Sequence, residues 1–515
     1  MRTIQPQGRK DFNFRDEKGT NNLRAFVTGS ITSDSRHISR ISKYFLYWNF
    51  YRGEHWRQFN ETMLAFNYSK AFVDKVINFL LGKDGFSFRV SRFDSDVIDK
   101  EEERVIEKFF LKEWRRNNLY HTLHEMLLMG SVCGDCWVTT EWETASNKVK
   151  ITTADSRYCF PEYDKTGKLT EMEFRFPLEK NEENYLLRCV KYSDKHFETW
   201  FQKSSGTYPV SDRKNRFGAT KEANTYGFIP VVHIKNRPSP DSKYSQSDLT
   251  DIMKLNKIYN EIAIEVKSVI DYHTAPTTVI TGASVNQLQR GIGTIWSGLP
   301  AEANVFTLGL DADISSTLGF MELIKKAMHE LSDVPENSLG QMQPISNTSA
   351  AALQITYQPL IQQANLKWLM YGTGITTINN HIYQIRKLFD PVSVAELPVK
   401  FVEEYFSEPV FGYSFPRDRM VDIQMANQEI QLGIGGRREW MEKMGKNNIP
   451  DLLDEIREER LSEGELQSEI MQLSSGFGEE FGGGEGGEDE LPTTKVAEKQ
   501  ELDDMRGKLD KFVKK

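Results

Sequence analysis

DVPENSLGQMQPISNTSAAALQITYQPLIQQANLKWLMY, residues 333–371, is the stretch that decides how this chain folds. Asp333, Pro335 and Glu336 form an acidic, proline-bearing stop to the segment before them. A polar loop follows, and from Ser349 an alanine-led helix is predicted to run to about Leu388, with Pro359 inside it. At about 1.5 Å per residue this helix spans roughly 60 Å, with a kink expected at Pro359 and weak points at Gly372 and Gly374. Between His329 and Lys367 the sequence has no Lys, Arg or His. A loop that gripped phosphate would carry such residues, because phosphate pairing supplies most non-specific affinity for nucleic acid. Gln341, Gln343, Ser346 and Asn347 offer weak, interchangeable hydrogen bonds instead. The plain alternative is a connection between two helices with no such role.

Two amphipathic helices are expected upstream. Over 248–272, Leu249, Ile252, Leu255, Tyr259, Ile262, Val266 and Val269 recur at three- and four-residue steps, with Lys254, Lys257, Glu261 and Ser268 on the opposite face. Over 314–331, Leu318, Met321, Ile324, Met328 and Leu331 share one side, and Lys325 and Lys326 sit among them. The intervening 275–310 is rich in Gly and Thr and reads as β. Further upstream, short strands are expected at 136–141, 149–153, 169–176, 185–192, 196–202 and 229–234, with a turn at Asp164–Gly167, giving a small antiparallel region. Helices are expected at 35–51, 67–81, 98–117 and 119–129, and a strand at 86–90. Downstream, a strand is expected at 402–415, helices at 418–431 and 437–444, and an acidic helical stretch at 450–472. The Gly- and Glu-rich 474–490 has too little apolar content to form a core, and 496–513 is a candidate for a last short helix.

At 515 residues the chain is long enough for two or three structural regions, and 39% apolar and 27% charged residues describe a protein with substantial buried surface. No apolar run approaches the roughly 18 residues needed to cross a bilayer. The first twenty residues hold no apolar signal core, so assembly inside a cell is expected. The net charge of −9 is unevenly spread: residues 451–490 hold fourteen acidic side chains against Arg457 and Arg460, leaving +3 elsewhere. A basic DNA-binding footprint is therefore absent from the composition.

Enzymatic readings fare poorly. No G-x-x-x-x-G-K-[ST] occurs: 81–85 reads as a helix stop, and Gly291-Ile-Gly293 lacks the following lysine. Cys133 and Cys136 have zinc-ligand spacing, but no second pair follows, and Cys159 and Cys189 stand alone, so buried free thiols are the simpler reading. His121, His124 and Glu125 lie on one helix without the H-E-x-x-H order, and no nucleophile turn is present. No cofactor, metal site or catalytic residue is expected.

The order of helix, β insertion, helix, loop and long helix resembles the core of the phage portal family, of the long-tailed-phage type. FNYSKAFVDKVINFLLGKDGFSF at 66–88 is similar to that family's wing. DVPENSLG at 333–340 and NTSAAALQITYQPLIQQANLK at 347–367 are similar to its tunnel loop and following helix. The resemblance covers about 35–475, and its specificity lies in several motifs occurring in order. It implies an α+β portal fold: arm 1–33, wing 34–247, stem helices 248–272 and 313–335, clip 273–312, tunnel loop 336–349, long kinked helix and return strand 350–416, helical crown 417–473 and acidic tail 474–515. It further implies a twelve-fold homo-oligomeric ring at one capsid vertex of the virion, assembled in the host cytoplasm. Double-stranded DNA would pass through without sequence recognition. The implied partners are the terminase large subunit, scaffolding and major capsid proteins, and head–tail connector proteins, with no membrane. Gln341, Gln343, Ser346 and Asn347 would line the channel at the loop, and Lys254, Lys257, Lys325 and Lys326 along the stem. The rival expectation is another oligomeric virion protein, a head–tail adaptor or minor head protein. An adaptor would be shorter and would have no reason for the loop between helices.

Overall fold

The structure, a computed structural model, describes residues 35–54, 65–82, 86–93, 100–180, 184–205, 216–274, 277–281, 303–308, 314–339, 350–411, 419–443, 452–459 and 461. Two compact units are present, Met1–Asp418 and Arg419–Lys515. The expectations for 1–33, for Gln341, Gln343, Ser346 and Asn347, and for 474–515 lie outside the described residues.

In the first unit the helices are α1 (Ser35–Arg52), α2 (Tyr68–Leu80), α3 (Lys100–Arg116), α4 (Leu119–Cys133), α5 (Ile252–Thr274), α6 (Ser315–Ser332), α7 (Ala350–Phe389) and the single turn α8 (Phe401–Glu404). α2 starts where Asn67 accepts a hydrogen bond from the Lys70 amide, and it buries Phe72, Val73, Val76, Ile77 and Leu80. The strands are β1 (Phe86–Arg92), β2 (Asp135–Glu143), β3 (Lys148–Ala154), β4 (Cys159–Tyr163), β5 (Leu169–Lys180), β6 (Asn184–Ser193), β7 (His196–Ser205), β8 (Arg216–Ala223), β9 (Val231–Lys235), β10 (Thr277–Thr281), β11 (Asn304–Leu308) and β12 (Tyr405–Phe411).

All the strand pairings among the described residues are antiparallel. β2 is the centre of a three-stranded sheet between β3 and β9, and β4 to β8 form a five-stranded meander. The Asp164 turn joins β4 to β5: its carboxylate accepts from the Thr166 and Lys168 amides, and Gly167 takes φ +86°. β10 and β11 form a hairpin between α5 and α6. β1 pairs with β12, so the chain returns late to complete an early strand.

One core gathers Phe72, Phe110, Trp114, Met126, Tyr371, Ile378 and Phe401; a second, under the meander, holds Trp137, Met172, Phe174 and Tyr192. The hydrogen-bonded helix α7 continues through Pro359 and both glycines. Gly374 is the point where α7 presses on β9: a Cβ there would stand 2.5 Å from Ile234 Cγ1. The second unit contains α9 (Arg419–Gln431) and α10 (Arg437–Lys443), linked by a turn in which Gly433 takes φ +70°, and a helical stretch at 452–459.

Candidate functional site

The site is built on the antiparallel α5–α6 pair, the segment after α6, and α7. Both the start of α5 and the end of α6 meet α2. Asn256 on α5 accepts from the Ser69 hydroxyl (2.9 Å) and donates to the Phe66 carbonyl (2.8 Å), and Asn260 accepts from the Phe66 amide (2.7 Å). On α6, His329 lies edge-on to Phe72 at 5.1 Å. Tyr259 sits edge-on to Tyr68 and close enough to Lys325 to feel its charge.

α6 ends at Asp333, which has φ +56°. There His329 Nδ1 donates to the Val334 carbonyl (2.7 Å), and Ser332 Oγ donates to the His329 carbonyl (3.1 Å). Glu336 then reaches back to Lys325 at 3.1 Å and stands 3.8 Å from His329 Nε2. The upstream flank of the loop is therefore pinned, with Val334 fully buried. On the downstream flank Ile355 is 75% exposed, and Leu360 is the first buried residue among the described side chains of α7.

Two buried ion pairs then fix α7. Lys367 Nζ lies 2.7 Å from Asp248 Oδ2 and donates to Ser131 Oγ (2.9 Å) and Asn236 Oδ1; Arg237 Nε is 3.2 Å from the same carboxylate. Burial alone would raise the Asp248 carboxyl, but Lys367 and Arg237 outweigh it and hold it below its ordinary value. Burial pushes the Lys367 ammonium down against the same partner. Further along, Arg386 donates to both oxygens of Glu113 (2.9 and 3.0 Å). The sequence reading missed both anchors and took Asp248 as the first residue of a helix that in fact starts at Ile252. A lysine in the buried row Leu360, Ala364, Lys367, Tyr371 was the available signal.

The cations that bound the cation-free stretch 330–366 are both turned inward, His329 being 7% and Lys367 1% exposed. Of the four lysines singled out by sequence, Lys257 pairs with Glu261 (3.7 Å), and Lys325 pairs with Glu336 (3.1 Å). Lys254 and Lys326 are exposed. Exposed apolar residues accompany them: Leu318, Phe320, Leu323 and Leu331 on α6, Ile258 and Ile270 on α5. Leu318 and Leu331, expected on the buried side, are about half exposed, because the core is shared only with Met321, Ile324 and Met328.

The other sequence candidates resolve as follows. The four cysteines are buried, and desolvation raises every thiol, that of Cys189 to about 12. His121 pairs with Glu125 at 3.5 Å on the surface of α4. Among the described residues no group of three or more His, Cys, Asp or Glu is placed to hold a metal ion. No described helix is long and apolar enough to cross a membrane.

Comparison with solved structures finds low-identity likenesses to chains in gene transfer agent particles. The neck of an empty particle, computed with C6 symmetry, matches with TM-score 0.42 at 11% identity, over 72% of this chain and 89% of that one. The neck of the native particle with C12 symmetry gives TM-score 0.40 at 11% identity, over 73% and 90%. No curated protein matches. The family model for phage portal protein, SPP1 Gp6-like, matches residues 35–464, so the chain belongs to the phage portal family.

Proposed function

We propose that this chain is the subunit of a ring at one capsid vertex, a non-enzymatic channel through which double-stranded DNA enters during packaging and leaves on ejection. In this reading α5 and α6 are the stem, the β10–β11 hairpin belongs to the clip, and the segment 336–349 is the tunnel loop. The clip end would dock the terminase large subunit during packaging and the head–tail connector proteins afterwards. Scaffolding and major capsid proteins would hold the ring in the shell.

The observation that carries the reading is the run 330–366, which holds no Lys, Arg or His, with its bounding cations committed inside the fold. Such a loop meets duplex DNA as a steric collar and does not hold phosphate. Gln341, Gln343, Ser346 and Asn347 would supply its exchangeable contacts, and Lys254 would give the stem a modest cationic lining. Lys325 is tied to Glu336 in its own chain. The apolar side chains left exposed on α5 and α6 are accounted for if a neighbouring copy covers them.

The test is the native mass of the purified protein by mass photometry, with negative-stain images of the same sample. Twelve copies of 59.4 kDa come to about 0.7 MDa. A ring with a central hole near that mass is expected. A monomer or dimer at every protein concentration would overturn the reading.

A further inference from the structure

We propose that adjacent copies are joined along α5 and α6 by an alternating row of four charges, Lys257 and Glu261 of one copy against Glu330 and Lys326 of the next. The inference rests on the ring reading and names the residues that close it.

α5 carries Lys257 and then Glu261, four residues on, 3.7 Å apart and more than half exposed. α6 carries Lys326 and then Glu330 at the same spacing, both exposed. Each pair therefore lies along one face of its helix, on the side away from Ile252 and Asn256 on α5 and from Met321 and Met328 on α6. The two rows have the same order along the chain, but the helices run in opposite directions, since early α5 and late α6 both meet α2.

A rotation about an axis parallel to the helix pair lays α6 of one copy beside α5 of the next. That motion sets Lys257 against Glu330 and Glu261 against Lys326. Within one chain Tyr259 and His329 both meet the start of α2, at Tyr68 and Phe72, so the two rows stand within about one helical turn of each other along the axis, roughly 5.4 Å. This is within the reach of lysine and glutamate side chains. Ile258, 41% exposed, and Leu323, 61% exposed, flank the rows and would be covered together. One exposed ion pair contributes little, whereas a row of four around a desolvated apolar contact fixes register and rejects a mismatched neighbour. Lys257 and Lys326 thereby move from the channel wall to the seam.

The test exchanges the rows. K257E/E261K reverses the α5 row, and K326E/E330K reverses the α6 row. Each protein alone sets like against like, so the midpoint concentration for ring assembly at about 50 mM salt should rise about tenfold or more. Mixed in equal amounts, the two should regain assembly, because each reversed row then meets its complement. The quadruple variant should assemble alone. Mass photometry reads the ring, and circular dichroism checks the helices.

If wild type assembles and either half-exchanged protein assembles equally well, or if mixing restores nothing, the seam is wrong and the portal reading stands. If wild type forms no ring, both fall. Should the reversed rows fail to fold, K257Q/E261Q gives the same decision: its assembly should lose most of the wild type's salt dependence, and an unchanged salt dependence overturns the seam.

Discussion

Lys367 shows how much one buried charge constrains this protein. It sits among apolar neighbours on α7, 1% exposed, and its ammonium is held by Asp248, Asn236 and Ser131. Removing it by K367M would leave the buried Asp248 carboxylate with Arg237 as its one cationic neighbour among the described residues and the Asn236 amide (2.8 Å) as a donor, and about 3 kcal/mol of stability should be lost. The double variant K367M/D248N should recover a large part of that loss in thermal melts, because no buried carboxylate is left short of a cation and Arg237 is partly open to water. His381 makes a second residue-scale prediction. It shares a hydrogen bond with Thr140 Oγ1 (3.1 Å), lies against Phe228, and burial pushes its imidazole down to about 4. An unfolded chain takes up that proton near pH 6.5 while the folded one does not, so stability falls as pH drops from about 6.5 to 4. H381Q should flatten stability against pH in that window. The contribution of Asp248, whose carboxyl is held low, is lost only at more acid pH. The sequence made Lys367 visible as an interruption of an apolar row. It could not name the partner, because Asp248 lies over a hundred residues upstream and periodicity carries no long-range pairing.

Among the elements, α7 separates two glycines that a sequence reads alike. Gly372 has only ordinary contacts, the nearest 3.7 Å away at Pro409 Cγ, so G372A should be neutral or stabilise by about 0.5–1 kcal/mol through helix propensity. At Gly374 the added Cβ would meet Ile234 Cγ1 at 2.5 Å, so G374A should cost about 1–3 kcal/mol despite the same propensity gain. G374A combined with I234A should cost less than the two single changes together, which urea melts of the four proteins would show. Most helices and the longer strands were legible, since their apolar residues keep a period of 3.6 or 2. β4 was missed because Cys159–Tyr163 contains Pro161, and β8 because Arg216–Ala223 is exposed almost throughout and shows no apolar alternation. Phe401–Glu404 is a helical turn where the strand was expected to be starting. The β1–β12 pairing, Phe86 to Phe411, joins residues far apart in sequence and has no local signature.

For the whole molecule, the distribution of charge bears on movement through the ring. The acidic stretch 451–490 carries −12 and the rest of the chain only +3, and no cation occurs between 330 and 366. A ring built this way should bind linear duplex DNA weakly, with a shallow dependence of log K on log salt, because few phosphate counterions are displaced. Replacing the loop residues in Q341K/Q343K places two lysines in each copy. If the loop lines the channel, many phosphates become neutralised at one level, and the salt slope should steepen by several units, at about 0.9 per phosphate contacted. Ring assembly itself should not change, because neither substitution touches the four charges of the rows on α5 and α6. The measurement is DNA binding by fluorescence polarisation across a salt series, with ring mass checked at each point. In particles carrying the variant, packaging should slow, since each step then breaks phosphate contacts the wild type does not make. A steep salt slope in wild type would mean that other residues already grip the DNA, and the steric-collar reading would fail. An unchanged slope in the variant would place the loop away from the duplex.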